Sequence, residues 1–400
     1  MRGRRAGRRL DVNDAPHSAA ADPASLDAPE QELLRRRRLL FVAGPLGSGG
    51  MTRNIVEHAL VLRSAEAEVG ILTPKEGGLD RAAEWLVRSG VVLFRPVSIS
   101  RPALREALRA FRPDAVRLCT GAFPPDTRIA LRLLGLAPAV VETLHLLPRR
   151  LRVKAAQRLF HRLRPSQRYR LLVLSERMLQ EVRQRIPALA PVCEKIDNGV
   201  ALPAAPSARG ASSSGPVRVV TACRLDESHK DVTTLLRAAA LLRGRGVDVE
   251  LLVLGDGPDR LRLEALAGEL GAPARFAGWV EQPFERVAQC DIAALSTRRE
   301  GLPRFLVEAQ ALGLPVVASD APGCADAVAV GETALLAPPG DAQAMAEALE
   351  RLVRDAALRR RMGEQAARFA QRFRIERFAV RFAQVVESLV DGASYTQAKP

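Results

Sequence analysis

Residues Arg299–Asp320 read REGLPRFLVEAQALGLPVVASD, and the order of signals in that stretch decides the fold class. Pro303 suits a first helical turn, where its missing N–H costs nothing. Gly313 suits the left-handed position that ends a helix, and Val316-Val317-Ala318 is a short apolar run of strand type. Loop, helix, stop and buried strand follow one another within 22 residues. Working outward, the same alternation recurs on both sides.

Upstream, RRLLFVAGPLGSGG is an apolar strand ending in glycines, followed by the helical pattern MTRNIVEHALVLR. AEVGILT, VVLF, DAVRLCT, AVVETLH, YRLLVLS and CEKIDNGV continue the strands. Helical patterns lie between them, including one near Asp126–Leu134 and SERMLQEVRQRI. After ALPAAPSARGASSSGP a second series begins with VRVVTA, VDVELLVLG, ARFAG and DIAALS. Short apolar strands between amphipathic helices predict an α/β protein of two Rossmann-like, doubly wound parallel sheets. The expected boundaries are a disordered basic tail at 1–37, an N-terminal half at 38–200, a linker at 201–216 and a C-terminal half at 217–374. A helix and tail at 375–400 are expected to pack back toward the N-terminal half. A site shared by two such halves belongs in the cleft between them, at the carboxyl ends of the strands.

Composition narrows the class. With 47% apolar and 26% charged residues, the chain has enough apolar content to build cores. No apolar run approaches the ~20 residues of a membrane span. Asp11, Asn13, Asp14 and His17 fall where a secretory signal would be apolar, so a cytoplasmic location is expected. Five scattered cysteines without a CxxC predict buried reduced thiols rather than a disulfide framework or a zinc site. The formal charge of +15 is almost all arginine and attracts anions without naming them. The basic segment Leu147–Arg170, with Leu151, Val153, Leu159, Phe160 and Leu163, makes an anionic membrane surface a candidate partner. A helix packed on its own sheet with a solvated basic face is the equal alternative.

Several short motifs carry chemistry. Gly44–Gly50, GPLGSGG, follows a strand and opens a helix, but Gly50 and Met51 stand where a Walker loop has Lys and Ser/Thr. It remains either a backbone cradle for a ligand at a helix N-terminus or a plain turn. Arg224 and Lys230, in TACRLDESHKD, could clamp a diphosphate or form a solvated basic loop. Gly255 and Gly257 mark another strand-to-helix turn. His145 ends the strand AVVETLH on the cleft side. Glu300 and Glu308 flank and enter the helix of the opening stretch. A helix N-terminus presents free N–H groups and partial positive charge to an anion. With a diphosphate there, Glu300 reaches the attached sugar, while Glu308 accepts from the vicinal hydroxyls of a ribose. On this reading Glu308 is a ligand-facing acid rather than half of an i±4 ion pair.

The ordered set resembles the retaining glycosyltransferases of family four, which have the GT-B fold. Glu300 and Glu308 match the family's E-x7-E motif within EGLPRFLVEA, and Arg224 and Lys230 match its R-L-x4-K pair. Gly49 and Gly50 match its diglycine loop, and His145 the histidine of its first domain. Asn198–Val200, Gly255–Pro258 and Ala337–Asp341 fit as well, so the resemblance covers residues 38–390. It implies transfer of a hexose from a nucleotide sugar to an acceptor hydroxyl with retention, the acceptor being a glycan or lipid-linked glycan. Arg224, Lys230 and the N–H groups of Arg304 and Phe305 would hold the departing diphosphate. Glu300 would orient the hexose, Glu308 the ribose, and His145 would bond the hexose from the facing domain. Gly49 and Gly50 would let backbone close on the diphosphate. No metal and no cofactor beyond the donor substrate is expected. Cys223 and Asp231 stand where the family often has glycine, and Pro303 lacks an N–H that glycine there would offer. A nucleotide-sugar epimerase or another enzyme on the same fold is the rival reading. A nucleic-acid binder explains the charge but neither glutamate.

Overall fold

The computed structural model describes residues 28–46, 49–75, 80–119, 139–145, 168–203, 215–280 and 283–391. The first half comprises α1 (Ala28–Leu34), β1 (Arg38–Ala43), α2 (Gly50–Ser64), β2 (Glu68–Leu72), α3 (Asp80–Arg88), β3 (Val92–Phe94), α4 (Arg101–Phe111), β4 (Ala115–Cys119), β5 (Ala139–Leu144), β6 (Tyr169–Val173), α5 (Glu176–Arg185) and β7 (Cys193–Lys195). The second comprises β8 (Val217–Ala222), α6 (Val232–Gly244), β9 (Val249–Leu254), α7 (Arg260–Glu269), β10 (Ala274–Gly278), α8 (Pro283–Ala288), β11 (Ile292–Leu295), α9 (Arg304–Ala311), β12 (Val316–Ser319) and β13 (Ala334–Ala337). Helices α10 (Ala342–Arg354), α11 (Ala356–Ala370) and α12 (Ile375–Val390) close the described chain.

Both sheets are parallel and doubly wound. Their orders are β3-β2-β1-β4-β5-β6-β7 and β10-β9-β8-β11-β12-β13. The order reverses beside β1 in one and beside β8 in the other, and ligands of such sheets lie outside the strand ends at those reversals. The central strands are buried throughout, as expected when helices cover both faces, and they include the polar Arg117, Glu142 and Thr143 along with the apolar residues. Side-chain caps begin several of the covering helices. Ser175 accepts from the Met178 N–H at 3.2 Å, and Asp341 from Ala344 at 2.9 Å.

The last helix belongs spatially to the first half. Phe378 of α12 stacks on His58 of α2 with ring centroids 3.7 Å apart, and Phe382 meets Phe41 of β1 edge-on at 6.5 Å. Both rings also face the buried Arg117 guanidinium of β4, at 4.8 and 5.2 Å. Arg117 donates to His58 Nδ1 at 2.8 Å, and His58 Nε2 stands 2.9 Å from the Gly199 carbonyl. These contacts set the imidazole as an acceptor at Nδ1 and a donor at Nε2. Burial, with Arg117 next in weight, lowers the His58 pKa well below the usual value, which keeps the ring neutral. Val200 N–H continues the crossing by donating to Phe373 O at 2.8 Å.

Three features differ from the sequence reading. Order starts before residue 38, because α1 forms and Leu34 is fully buried against the first core. Strand β13, ALLA, has no sequence assignment above, since four small apolar residues between loops carry no period. Asp231 adopts a left-handed backbone, φ 45°, which gives the physical reason that glycine suits this position. Residues 1–27, the Asp126–Leu134 helix, most of the 147–170 basic segment and linker residues 204–214 lie outside the described residues. Among the described residues no helix is long and apolar enough to cross a membrane, and all five cysteines are free.

The closeness of α12 yields a stability prediction. A Cβ on Gly199 would stand 2.4 Å from Phe378 Cβ and 2.9 Å from the Ile375 backbone. Gly199→Ala should therefore cost about 1–3 kcal/mol as overpacking and lower the melting temperature by several degrees in calorimetry. An unchanged melting temperature would mean that α12 yields without strain.

Candidate functional site

The loops after β8 and β11 build one wall of the cleft. Cys223 N–H bonds Leu254 O and Leu225 N–H bonds Asp256 O, both at 3.0 Å, so the Gly255–Pro258 turn supports the loop that carries Arg224. Thr297 Oγ1 donates to His229 O at 2.9 Å, and Arg298 pairs with Asp231 at 2.9 Å. The Lys230 loop is thereby stitched to the Glu300 loop. Glu227 reaches over the start of α6, where it accepts from the N–H groups of Val232 and Thr233. It supplies the cap that the side chain of Asp231 does not.

The opposite wall is the carboxyl end of β5 and the start of α2. The halves meet by backbone: a Cβ on Gly301 would stand 2.0 Å from the His145 carbonyl oxygen. Only glycine permits that approach, so Gly301 is a site residue that the sequence reading missed. His145 has a buried Nε2 without a hydrogen-bond partner among the described residues. Burial first and then Arg117 lower its pKa to about 4. It therefore faces the cleft as a neutral imidazole.

Arg224, Lys230, His145, Glu300, Glu308, Arg304, Phe305, Gly49 and Gly50 all border a single cavity of about 1310 Å³. Ligand pockets commonly enclose roughly 300–1,000 Å³, so this cavity is at the large end of what small-molecule sites need. Arg224 is exposed at its edge. Lys230 Nζ is ion-paired with Glu300 Oε1. Burial opposes the ammonium charge, but Glu300 and Cys223 outweigh it and the Lys230 pKa stands above its ordinary value. Helix α9 begins at Arg304 with Pro303 as N-cap, and its first internal donor is Leu306, bonded to Pro303 O at 3.1 Å. The N–H groups of Arg304 and Phe305 have no backbone acceptor among the described residues. They form the open end of the α9 dipole.

One reading is corrected here. Glu308 is an ion-pair member: Arg304, one turn earlier, donates to its Oε1 at 3.0 Å, and Arg53 of α2 lies 3.3 Å from the same oxygen. The Arg304 guanidinium also bonds Asn54 Oδ1 and both oxygens of Glu57, at 2.8 and 3.0 Å. Arg53, Asn54 and Glu57 are further cavity residues that the sequence reading missed. Two signals were present: the i,i+4 pairs Arg53–Glu57 and Arg304–Glu308 stand on helices that open from the two ligand loops. Among the described residues no cluster of three His, Cys, Asp or Glu could hold a metal ion.

Known protein families match both halves of the chain. A family model described as "Glycosyl transferases group 1" matches residues 216–355, and one described as "Glycosyltransferase Family 4" matches residues 48–202. A lipopolysaccharide core biosynthesis glycosyltransferase, LpsE of Rhizobium meliloti, is 37% identical over 34% of the chain, a stretch that spans 40% of that relative. A phosphatidyl-myo-inositol mannosyltransferase of Mycobacterium leprae is 28% identical over 87% of the chain and 96% of the relative. The structure of Anabaena HepE in complex with UDP and glucose superposes with a TM-score of 0.70 at 19% identity, covering 88% of this chain and 100% of that one.

The buried imidazoles make stability depend on pH in a defined direction. The folded His145 pKa of about 4 lies below the unfolded value near 6.5. The unfolded state therefore binds more protons in that window, and stability present above about pH 6.5 is lost as pH falls toward 4. His58 acts in the same sense. Urea midpoints should fall from pH 7 to pH 5, and His145→Gln should flatten the slope. Parallel slopes in the two proteins would refute the neutral imidazole.

Proposed function

Because the chain belongs to the family-four, group 1 glycosyltransferases, we propose that it moves a hexose from a nucleotide sugar to an acceptor hydroxyl with retention at the anomeric carbon. The observation that carries this reading is the convergence of Arg224, Lys230, Glu300, Glu308, His145 and the α9 N-terminus on one cavity. In the reaction the bond between the anomeric carbon and the phosphate oxygen breaks, and its electron pair goes to the diphosphate. The acceptor oxygen bonds the same carbon from the same face, and its proton passes to the departing phosphate oxygen. The difficulty lies in the charge on the leaving group. Arg224, Lys230 and the N–H groups of Arg304 and Phe305 stabilise it. Gly49 and Gly50, at the start of α2, bring a second helix N-terminus to the same diphosphate.

Lys230 and Glu300 neutralise one another at the cavity wall. A diphosphate takes over the ammonium, and the freed carboxylate accepts from hexose hydroxyls. His145 Nε2, without a hydrogen-bond partner among the described residues, bonds the hexose from the other wall. Glu308 accepts from the ribose. A UDP-linked donor is supported by the ligands of Anabaena HepE, and a glycan or lipid-linked acceptor by the named activities of the Rhizobium and Mycobacterium relatives.

Incubation with UDP- and GDP-hexoses, with release of nucleoside diphosphate as the readout, tests the reaction class. One donor should turn over slowly without acceptor, and turnover should survive excess EDTA because cationic side chains neutralise the leaving group. Loss in EDTA restored by magnesium would refute the cation clamp, and no release from any donor would refute the donor reading. Charge-assisted hydrogen bonds contribute about 1.5–3 kcal/mol, so Glu308→Ala should weaken nucleoside diphosphate binding roughly ten- to a hundredfold. Equal affinity in calorimetry, with the fold intact, would remove Glu308 from the ribose.

A further inference from the structure

The side chain of Arg304 crosses the cleft. Its backbone starts α9 in the nucleotide half, yet its guanidinium bonds Asn54 and Glu57 on α2 of the other half. Its side chain is only 7% exposed, with Glu308 at 9% and Glu57 at 10%. A cation at the first position of a helix opposes the helix dipole, so the local preference of α9 does not explain this arginine. The two carboxylates do. Burial works against the charge, and Glu57 and Glu308 together outweigh it.

The connections reach further on both sides. Glu57 Oε2 also accepts the Ala201 N–H at 3.1 Å, in the segment where the chain leaves the first half. Arg53 lies 3.6 Å from Glu57 and 3.3 Å from Glu308, on the same oxygens that Arg304 engages. The result is a chain of contacts from the crossover backbone through Glu57 and Arg304 to Glu308. Buried ion pairs add little net stability against an apolar alternative, but breaking one leaves an uncompensated charge. Such a cluster therefore selects one arrangement sharply. The planar fork of arginine can hold three acceptors at once, which the ammonium of lysine on its flexible stem does far less well.

We infer that Arg304 and Glu57 form a pin across the cleft, which orients the Glu308 carboxylate for the ribose and sets the approach of the two halves. Arg304 is thus a positioning residue that acts through Glu308, and the inference rests on the donor reading for the ribose part alone. Donor binding and closure become coupled, because the acid that receives the ribose is held by the same guanidinium that holds α2.

Glu57→Gln, which keeps shape and removes charge, and Arg304→Met test the inference in the full chain, with circular dichroism to verify folding. The first measurement is small-angle X-ray scattering without nucleotide, where both variants should show a larger radius of gyration than wild type. The second is calorimetry with uridine diphosphate and guanosine diphosphate against their 2′,3′-dideoxy forms. Wild type should prefer ribose tenfold or more, and both variants should bring the ratio to within about threefold of unity. A merely structural pair would lower stability and leave that ratio alone. Scattering unchanged in folded Glu57→Gln removes the pin, an unchanged ratio removes the positioning role, and either overturns the inference. A wild type indifferent to ribose would overturn the donor reading of Glu308 instead, with scattering still deciding the pin.

Discussion

The contact on which the site depends is the approach of the Gly301 backbone to the carbonyl of His145. Two parallel sheets, each reversing its strand order beside its first strand, direct their loops toward one cleft. Direction alone leaves the loops apart. At Gly301 no side chain intervenes, so the Glu300 loop of one half lies against the carboxyl end of β5 in the other. Gly323 supports it from behind at φ 85°, where a Cβ would stand 2.3 Å from the Gly301 carbonyl. Backbone packing at this point places a carboxylate, a neutral histidine and a helix N-terminus around one volume.

Several of the charges around that volume are paired with one another. Lys230 pairs with Glu300, and Arg304 and Arg53 share Glu308 and Glu57. Desolvated charge is costly unless paired, so a cleft with this many ionic groups must either pair them or stay wet. Pairing has a functional consequence under the proposed reaction. Lys230 and Glu300 are each held near a working position by a partner that the donor can replace, whereas Glu308 keeps its hold on Arg304. The alternative of flexible, hydrated side chains would have to be ordered at the moment of binding.

His145 differs from these groups in being kept neutral. Its pKa of about 4 follows from burial and from Arg117, a cation lodged among Phe41, Phe378 and Phe382 rather than beside a carboxylate. Helix α12 supplies two of those rings. The terminal helix therefore influences the cleft from behind the first sheet, through Arg117, as well as packing against the crossover at Gly199.

Local sequence determined the two alternating series, the strand ends and the residues that stand at them. Apolar runs, glycine stops and capping residues act within a few positions, so Glu300, Lys230, Arg224 and His145 were legible as cleft residues. The pairing of these groups was not. Lys230 and Glu300 lie 70 positions apart, and Arg304 and Glu57 lie 247 apart. Glu308 read as an unpaired acid although Arg304 stood four residues before it, because a single i,i+4 spacing does not distinguish a solvated pair from a buried one. Burial of Arg304 is decided by α2 arriving from the other half. The same holds for the left-handed turn at Asp231, the order of α1 and the neutrality of His145. Each depends on which surfaces meet, and short-range propensity carries no information about a neighbour that is distant in the chain.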